Sequence, residues 1–105
     1  MESNSQLSKA VKKLESVMDP EIPFLTVLEM GMVRTLEIRE RHLYATVTPT
    51  YSGCPATEVI ERDVREALRQ IDPEAVVEIV HTPAWSTDWI DDATREKMRA
   101  KGIAP

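Results

Sequence analysis

The sequence predicts a small α/β (α+β) domain in the order αββαβ with a short C-terminal helix. Three observations carry this: apolar residues at helical spacing in two segments, a two-residue alternation between them, and prolines at the boundaries. At 105 residues the chain has room for one domain, residues 1–105. A domain of this size buries roughly two-thirds of its unfolded surface, enough for one core without disulfides or a structural metal.

Leu7, Ala10, Val11, Leu14, Val17 and Met18 recur three and four apart, which predicts a first helix over residues 5–18. Asp19-Pro20 stops it, and Pro23 follows, so residues 19–24 form an ordered loop of restricted backbone. Residues 32–40 alternate loosely, Glu40-Arg41-His42 interrupts, and Leu43, Ala45 and Val47 alternate cleanly, the pattern of an antiparallel hairpin. Pro49 ends the second strand. Ile60, Val64, Ala67, Leu68 and Ile71 form the stripe of a second helix, with Pro55 at its first position and Cys54 as its cap. Asp72-Pro73 closes it, and residues 76–81 give a third strand. The tail offers Asp91 or Asp92 as a cap, Lys97, Arg99 and Lys101 in a last turn, and Gly102 as a stop.

The formal charge of −5 disfavours nucleic-acid binding, which depends on neutralising phosphates. No apolar run approaches the ~18 residues of a membrane span, and the first residues lack the blocks of a signal peptide. The single cysteine excludes an internal disulfide and any four-cysteine zinc site, so a cytoplasmic, reducing location is expected.

That cysteine carries the chemistry. At the start of a helix, Cys54 would lie beside unpaired amide N–H groups at the positive end of the dipole, which favour thiolate over thiol. A lone cysteine is commonly a packed core residue. Here Gly53 and Pro55 place it in a turn, and Thr48, Thr50, Tyr51 and Ser52 surround it with hydroxyls, which shifts the expectation to a functional loop. Asp19 and Glu21 offer oxygen ligands, although Asp19 alone is an ordinary turn opener. His42 sits at a hairpin tip and is expected to be exposed, and His81, at a strand end, could come near a site. Trp85 and Trp89 suit either packing over the sheet or a partner-binding patch.

At Asp19-Pro20-Glu21-Ile22-Pro23, at residues 48–58 around Gly53-Cys54-Pro55, at Pro83-Ala84-Trp85-Ser86-Thr87-Asp88-Trp89-Ile90 and at Gly102-Ile103-Ala104-Pro105, the chain resembles the PaaD-like phenylacetate-degradation family, within a wider SufT-like group linked to iron-sulfur assembly. The resemblance implies a mixed three-stranded sheet with helices packed on it. It also implies an accessory role in maturing the metal centres of the oxygenase that epoxidises phenylacetyl-CoA, with no activity alone. By matching positions, Asp19, Glu21, Thr48, Thr50 and Cys54 would line the site and Gly53 would shape its loop. PaaD-like proteins typically continue into a cysteine-rich segment that this sequence lacks, which marks it as a single-domain relative or a truncated one.

An iron-sulfur cluster takes four thiolates and this chain has one cysteine, so any cluster or iron must be transient and shared, across a homodimer or with oxygenase subunits or assembly factors. Two rivals remain at this point. One is a docking component that uses Trp85 and Trp89 with Cys54 structural; the other is a cysteine-dependent enzyme with His81 as base.

Overall fold

The computed structural model describes residues 2–20, 22–50 and 54–102, with side chains described over 5–20, 22–50 and 57–102. Helix α1 (Glu2–Leu14) leads through a long loop to strands β1 (Val33–Arg39) and β2 (His42–Val47), helix α2 (Cys54–Arg69), strand β3 (Val76–Ile79) and helix α3 (Asp92–Ala100). The expected order is present, with one 3₁₀ turn, Thr87–Trp89, ahead of α3. The sheet has order β1-β2-β3, antiparallel between β1 and β2 and parallel between β2 and β3. This is the mixed three-stranded sheet that the resemblance implied.

Strand β2 is central, and its alternation decides which face is covered. Leu43, Ala45 and Val47 are fully buried, whereas Tyr44 and Thr46 point the other way and are half-buried. On the covered side lie Ala10 and Leu14 of α1 and Ile60, Val64, Ala67 and Leu68 of α2. On the other, Thr46 Oγ1 lies 2.6 Å from Thr35 Oγ1, and the Tyr44 hydroxyl donates to Glu78 at 2.5 Å. These cross-strand polar pairs suit a face turned to water.

Helix α1 stops at Leu14 instead of reaching residue 18. An extended ladder takes over the backbone there: Asp19 N–H donates to Leu25 O at 2.8 Å, Val27 N–H donates to Val17 O at 2.9 Å, and Met18 bridges Thr26. Val17 stays buried, but Met18 is 42% exposed, so the apolar period outlasts the helix by three residues, to Val17. Strand β3 ends at Ile79, two residues earlier than expected, although Val80 N–H still donates to Val47 O at 2.9 Å.

The β1–β2 turn consists of Glu40 and Arg41, with φ of 51° and 72°. Both central residues of such a two-residue hairpin need positive φ, where Asn and Gly are at ease and long side chains are strained. Replacing the pair with Asn-Gly is therefore expected to raise stability by about 1–2 kcal/mol. Urea unfolding checks this, and an unchanged or lower midpoint counts against the strain.

Candidate functional site

The carboxyl ends of the parallel pair β2–β3 and the first residue of α2 lie at one end of the sheet, the usual place for a site in an open α/β sheet. Beyond β2, Thr48 is 2% exposed and its N–H donates to Met32 O at 2.8 Å, extending the hairpin by one pair. Pro49 is buried and Thr50 half-buried. Residues 51–53, including the hydroxyls of Tyr51 and Ser52 and the turn at Gly53, lie outside the described residues, as does Glu21.

Helix α2 begins at Cys54, so this residue is the first helical one instead of the cap; its side chain lies outside the described set. The first turn of α2 carries no acidic residue, which leaves the positive end of the dipole uncompensated from within the helix. Asp19 is 1% exposed. Its loop connects to Thr48 through a run of backbone bonds, from Val17 O to Val27 N, from Val27 O to Met32 N, and from Met32 O to Thr48 N. Backbone bonds thus tie the loop that carries Asp19 and the end of β2 at Thr48 into one hydrogen-bonded framework.

Both tryptophans border that framework. Trp85 Nε1 donates to Met30 O at 2.7 Å and the ring packs against the core. Trp89 lies against Gly31, and the Arg34 guanidinium stacks 3.6 Å from the centre of its ring. Both rings are half-buried, so each is partly used to pin residues 85–90 onto the Met30-Gly31 turn.

The histidines separate. His81 is exposed just past β3. His42 opens β2, six residues before Thr48 and about 20 Å away along an extended strand. It is half-buried instead of simply exposed, with Nδ1 3.2 Å from Asp72 and Nε2 3.3 Å from Glu74. Among the described residues no three His, Cys, Asp or Glu side chains gather as a metal cage, and no helix is long and apolar enough to cross a membrane.

One device went unread in the sequence although its signal was present. Thr26 and Glu29 form a reciprocal capping box, Thr26 N–H donating to Glu29 and Glu29 N–H donating to Thr26 Oγ1, each at 3.0 Å. Lys97 of α3 reaches Glu29 at 3.1 Å. Burial pushes the Glu29 carboxyl up, but the Thr26 N–H and the Lys97 ammonium outweigh it and hold the carboxyl below its ordinary range. The pattern T-x-x-E marks this turn, which positions Gly31 and Met32.

Residues 8–80, which span β1, β2, α2, β3 and most of α1, match the family model described as iron-sulfur cluster assembly protein. The chain belongs to that family. It is 44% identical over 94 residues to an Escherichia coli K12 protein provisionally named as a component of 1,2-phenylacetyl-CoA epoxidase, covering 88% of this chain and 56% of that protein. The chain therefore spans little more than half of that relative's length. It is 35% identical over 86 residues to the Fe-S protein maturation auxiliary factor YitW of Bacillus subtilis 168, covering 81% of this chain and 78% of that one. Among solved structures, a DUF59 domain of unknown function from Bacillus anthracis superposes with a TM-score of 0.79 at 27% identity, covering 94% of this chain and 96% of the other. A conserved hypothetical protein of Thermotoga maritima gives 0.71 at 26% identity, covering 87% and 91%. The family likeness and the fold expected from the cysteine loop and the double-tryptophan segment are both borne out.

Proposed function

We propose that this chain is an accessory factor in iron-sulfur cluster or metal-centre maturation, serving a multicomponent oxygenase of the phenylacetyl-CoA-epoxidising kind, and that Cys54 is a transient ligand to the cargo. The observation that carries the reading is the position of the chain's one cysteine at the first residue of α2, in a member of the iron-sulfur assembly family. The oxygenase enters through the likeness to the epoxidase component; the maturation role is supported by the likeness to the auxiliary factor.

The physical case is one of incomplete ligation. One thiolate cannot hold a cluster that takes four, so the cargo is shared with a second copy or with the donor or recipient, and is released as readily as it is accepted. The N-terminus of α2, whose first turn carries no acidic residue, would favour the thiolate that binds soft metal. In this proposal Asp19 or Glu21 completes or orients the site, the hydroxyls of Thr48 and Thr50 hydrogen-bond the bound sulfur, and Gly53 shapes the loop.

Anaerobic incubation with iron and sulfide tests it. The wild-type chain is expected to develop visible charge-transfer absorption and to retain iron and sulfide through gel filtration, and Cys54→Ala to lose both. Identical spectra and metal content for the two proteins overturn the assignment of Cys54.

A further inference from the structure

Helix α1 and the end of α2 enclose an open groove of about 630 Å³, lined by Lys9, Lys12, Lys13, Ser16, Gln70 and Ile71. The three lysines are exposed and stand three and four residues apart, so they share one side of α1. Like charges at that spacing weaken a helix. The negative end of the dipole accounts for Lys12 and Lys13 in the last turn but not for Lys9.

Among the described residues Arg39, Arg62, Arg65, Lys97 and Arg99 pair with carboxylates, Arg69 and Arg95 donate to backbone carbonyls, and Arg34 and Lys101 lie over aromatic rings, whereas the three groove lysines stand together with no ion pair and no acidic residue lining the groove. In a chain of net charge −5 this is a basic island. Ile71 gives the groove a half-buried apolar side, and it is recessed between helices instead of projecting as a membrane anchor does.

We propose that this groove docks an acidic segment of a partner protein, seating one apolar side chain against Ile71 while flanking carboxylates meet Lys9, Lys12 and Lys13. Charge complementarity selects the partner, and the recessed isoleucine sets the register. The groove lies at the far end of α2 from Cys54, about 24 Å away along a 16-residue helix. The surface is therefore distinct from the end of α2 that carries Cys54, although Ser16 stands three residues before Asp19, and its test reads peptide binding, which does not involve Cys54.

The probe is a fluorescein-labelled synthetic peptide carrying one leucine between two pairs of glutamates, with two controls: glutamates replaced by glutamine, and leucine replaced by serine. Anisotropy titration is expected to give saturable binding at about 0.05 M salt that weakens at about 0.5 M, as screening requires. Affinity should fall about tenfold in the triple variant K9Q/K12Q/K13Q and stay unchanged in a control triple, R62Q/R65Q/K101Q. Both control peptides should bind more weakly, and amide shifts in the NMR spectrum should cluster at the end of α1 and at Gln70 and Ile71.

Equal binding to wild type and K9Q/K12Q/K13Q, or no binding by the peptide, overturns the proposal. Retention on anionic vesicles without peptide binding assigns the lysines to a membrane surface and overturns it too. So does a dimer that K9Q/K12Q/K13Q dissolves, since the groove would then be occupied by a second copy. Circular dichroism of the exposed-lysine variants establishes that they fold.

Discussion

Gly31→Ala should lower stability by about 3 kcal/mol, while Gly102→Ala should cost only about 1 kcal/mol, although both glycines sit at nearly the same backbone angle. Their φ values are +71° and +77°, a region that costs an L-residue on the order of 1–2 kcal/mol. The difference lies in the space around them. A Cβ on Gly31 would stand 2.6 Å from Trp89 O and 2.7 Å from Trp89 Cβ, whereas one on Gly102 meets nothing within 4 Å. The carbonyl at Trp89 is backbone, so relief means moving the chain, and forcing extra volume into a packed contact adds about 1–3 kcal/mol. Urea midpoints of the two variants check this. Because Trp89 is also stacked under Arg34, the Gly31 variant alone should shift the native tryptophan fluorescence to longer wavelength. Equal destabilisation by the two substitutions would contradict the contact with Trp89.

The same substitution links the tryptophan segment to the proposed site. Met32, next to Gly31, supplies the carbonyl that receives Thr48 N–H, and Met30 supplies the one that receives Trp85 Nε1. Residues 26–32 are thus a common anchor for the end of β2 and for residues 85–90. A shift at Gly31 would reach the chain leading to Cys54 through Met32 and Thr48, without touching Cys54 itself.

Period alone makes much of the fold legible. The alternation Leu43, Ala45, Val47 marks the central strand and its buried face, and the stripe from Ile60 to Leu68 marks α2, because each lies within one regular element. The residues after Leu14 are different. Val17 keeps the helical period, yet the backbone there pairs with residues 25–27, a contact between segments that no local pattern encodes. Of the candidate site, Asp19 and Thr48 are legible as residue types in proline-bounded loops; their burial follows from the ladder between those loops. The roles of Gly31 and Arg34 are not legible, since both depend on where Trp89 lands, more than fifty residues away in sequence. His42 reads in sequence as an exposed tip residue because its partners, Asp72 and Glu74, arrive with a different turn.

That turn supplies the second large effect: Asp72→Ala should cost about 3 kcal/mol near neutral pH, and the cost should shrink in acid. Asp72 is 6% exposed and joins the start of β2 to the turn between α2 and β3. Its carboxylate accepts from Leu43 N–H at 2.8 Å and Glu74 N–H at 3.0 Å, with His42 Nδ1 at 3.2 Å. Alanine removes the acceptor of a buried strand N–H, and bonds to a charged group are worth about 1.5–3 kcal/mol each. Burial pushes this carboxyl up, but the Leu43 and Glu74 N–H groups and His42 together outweigh it and hold it below its ordinary value. A carboxyl depressed in the folded state stabilises the fold fully above its unfolded value of about 3.9, and that contribution is lost as pH falls through the lower folded value. The gap between wild type and Asp72→Ala should therefore narrow as pH falls below about 4. Glu29 and Asp91 are also held low, but they are present in both proteins and cancel from the difference. Urea titrations over this pH range measure the gap, and a gap that widens in acid would show that Asp72 does not act as an ionised acceptor.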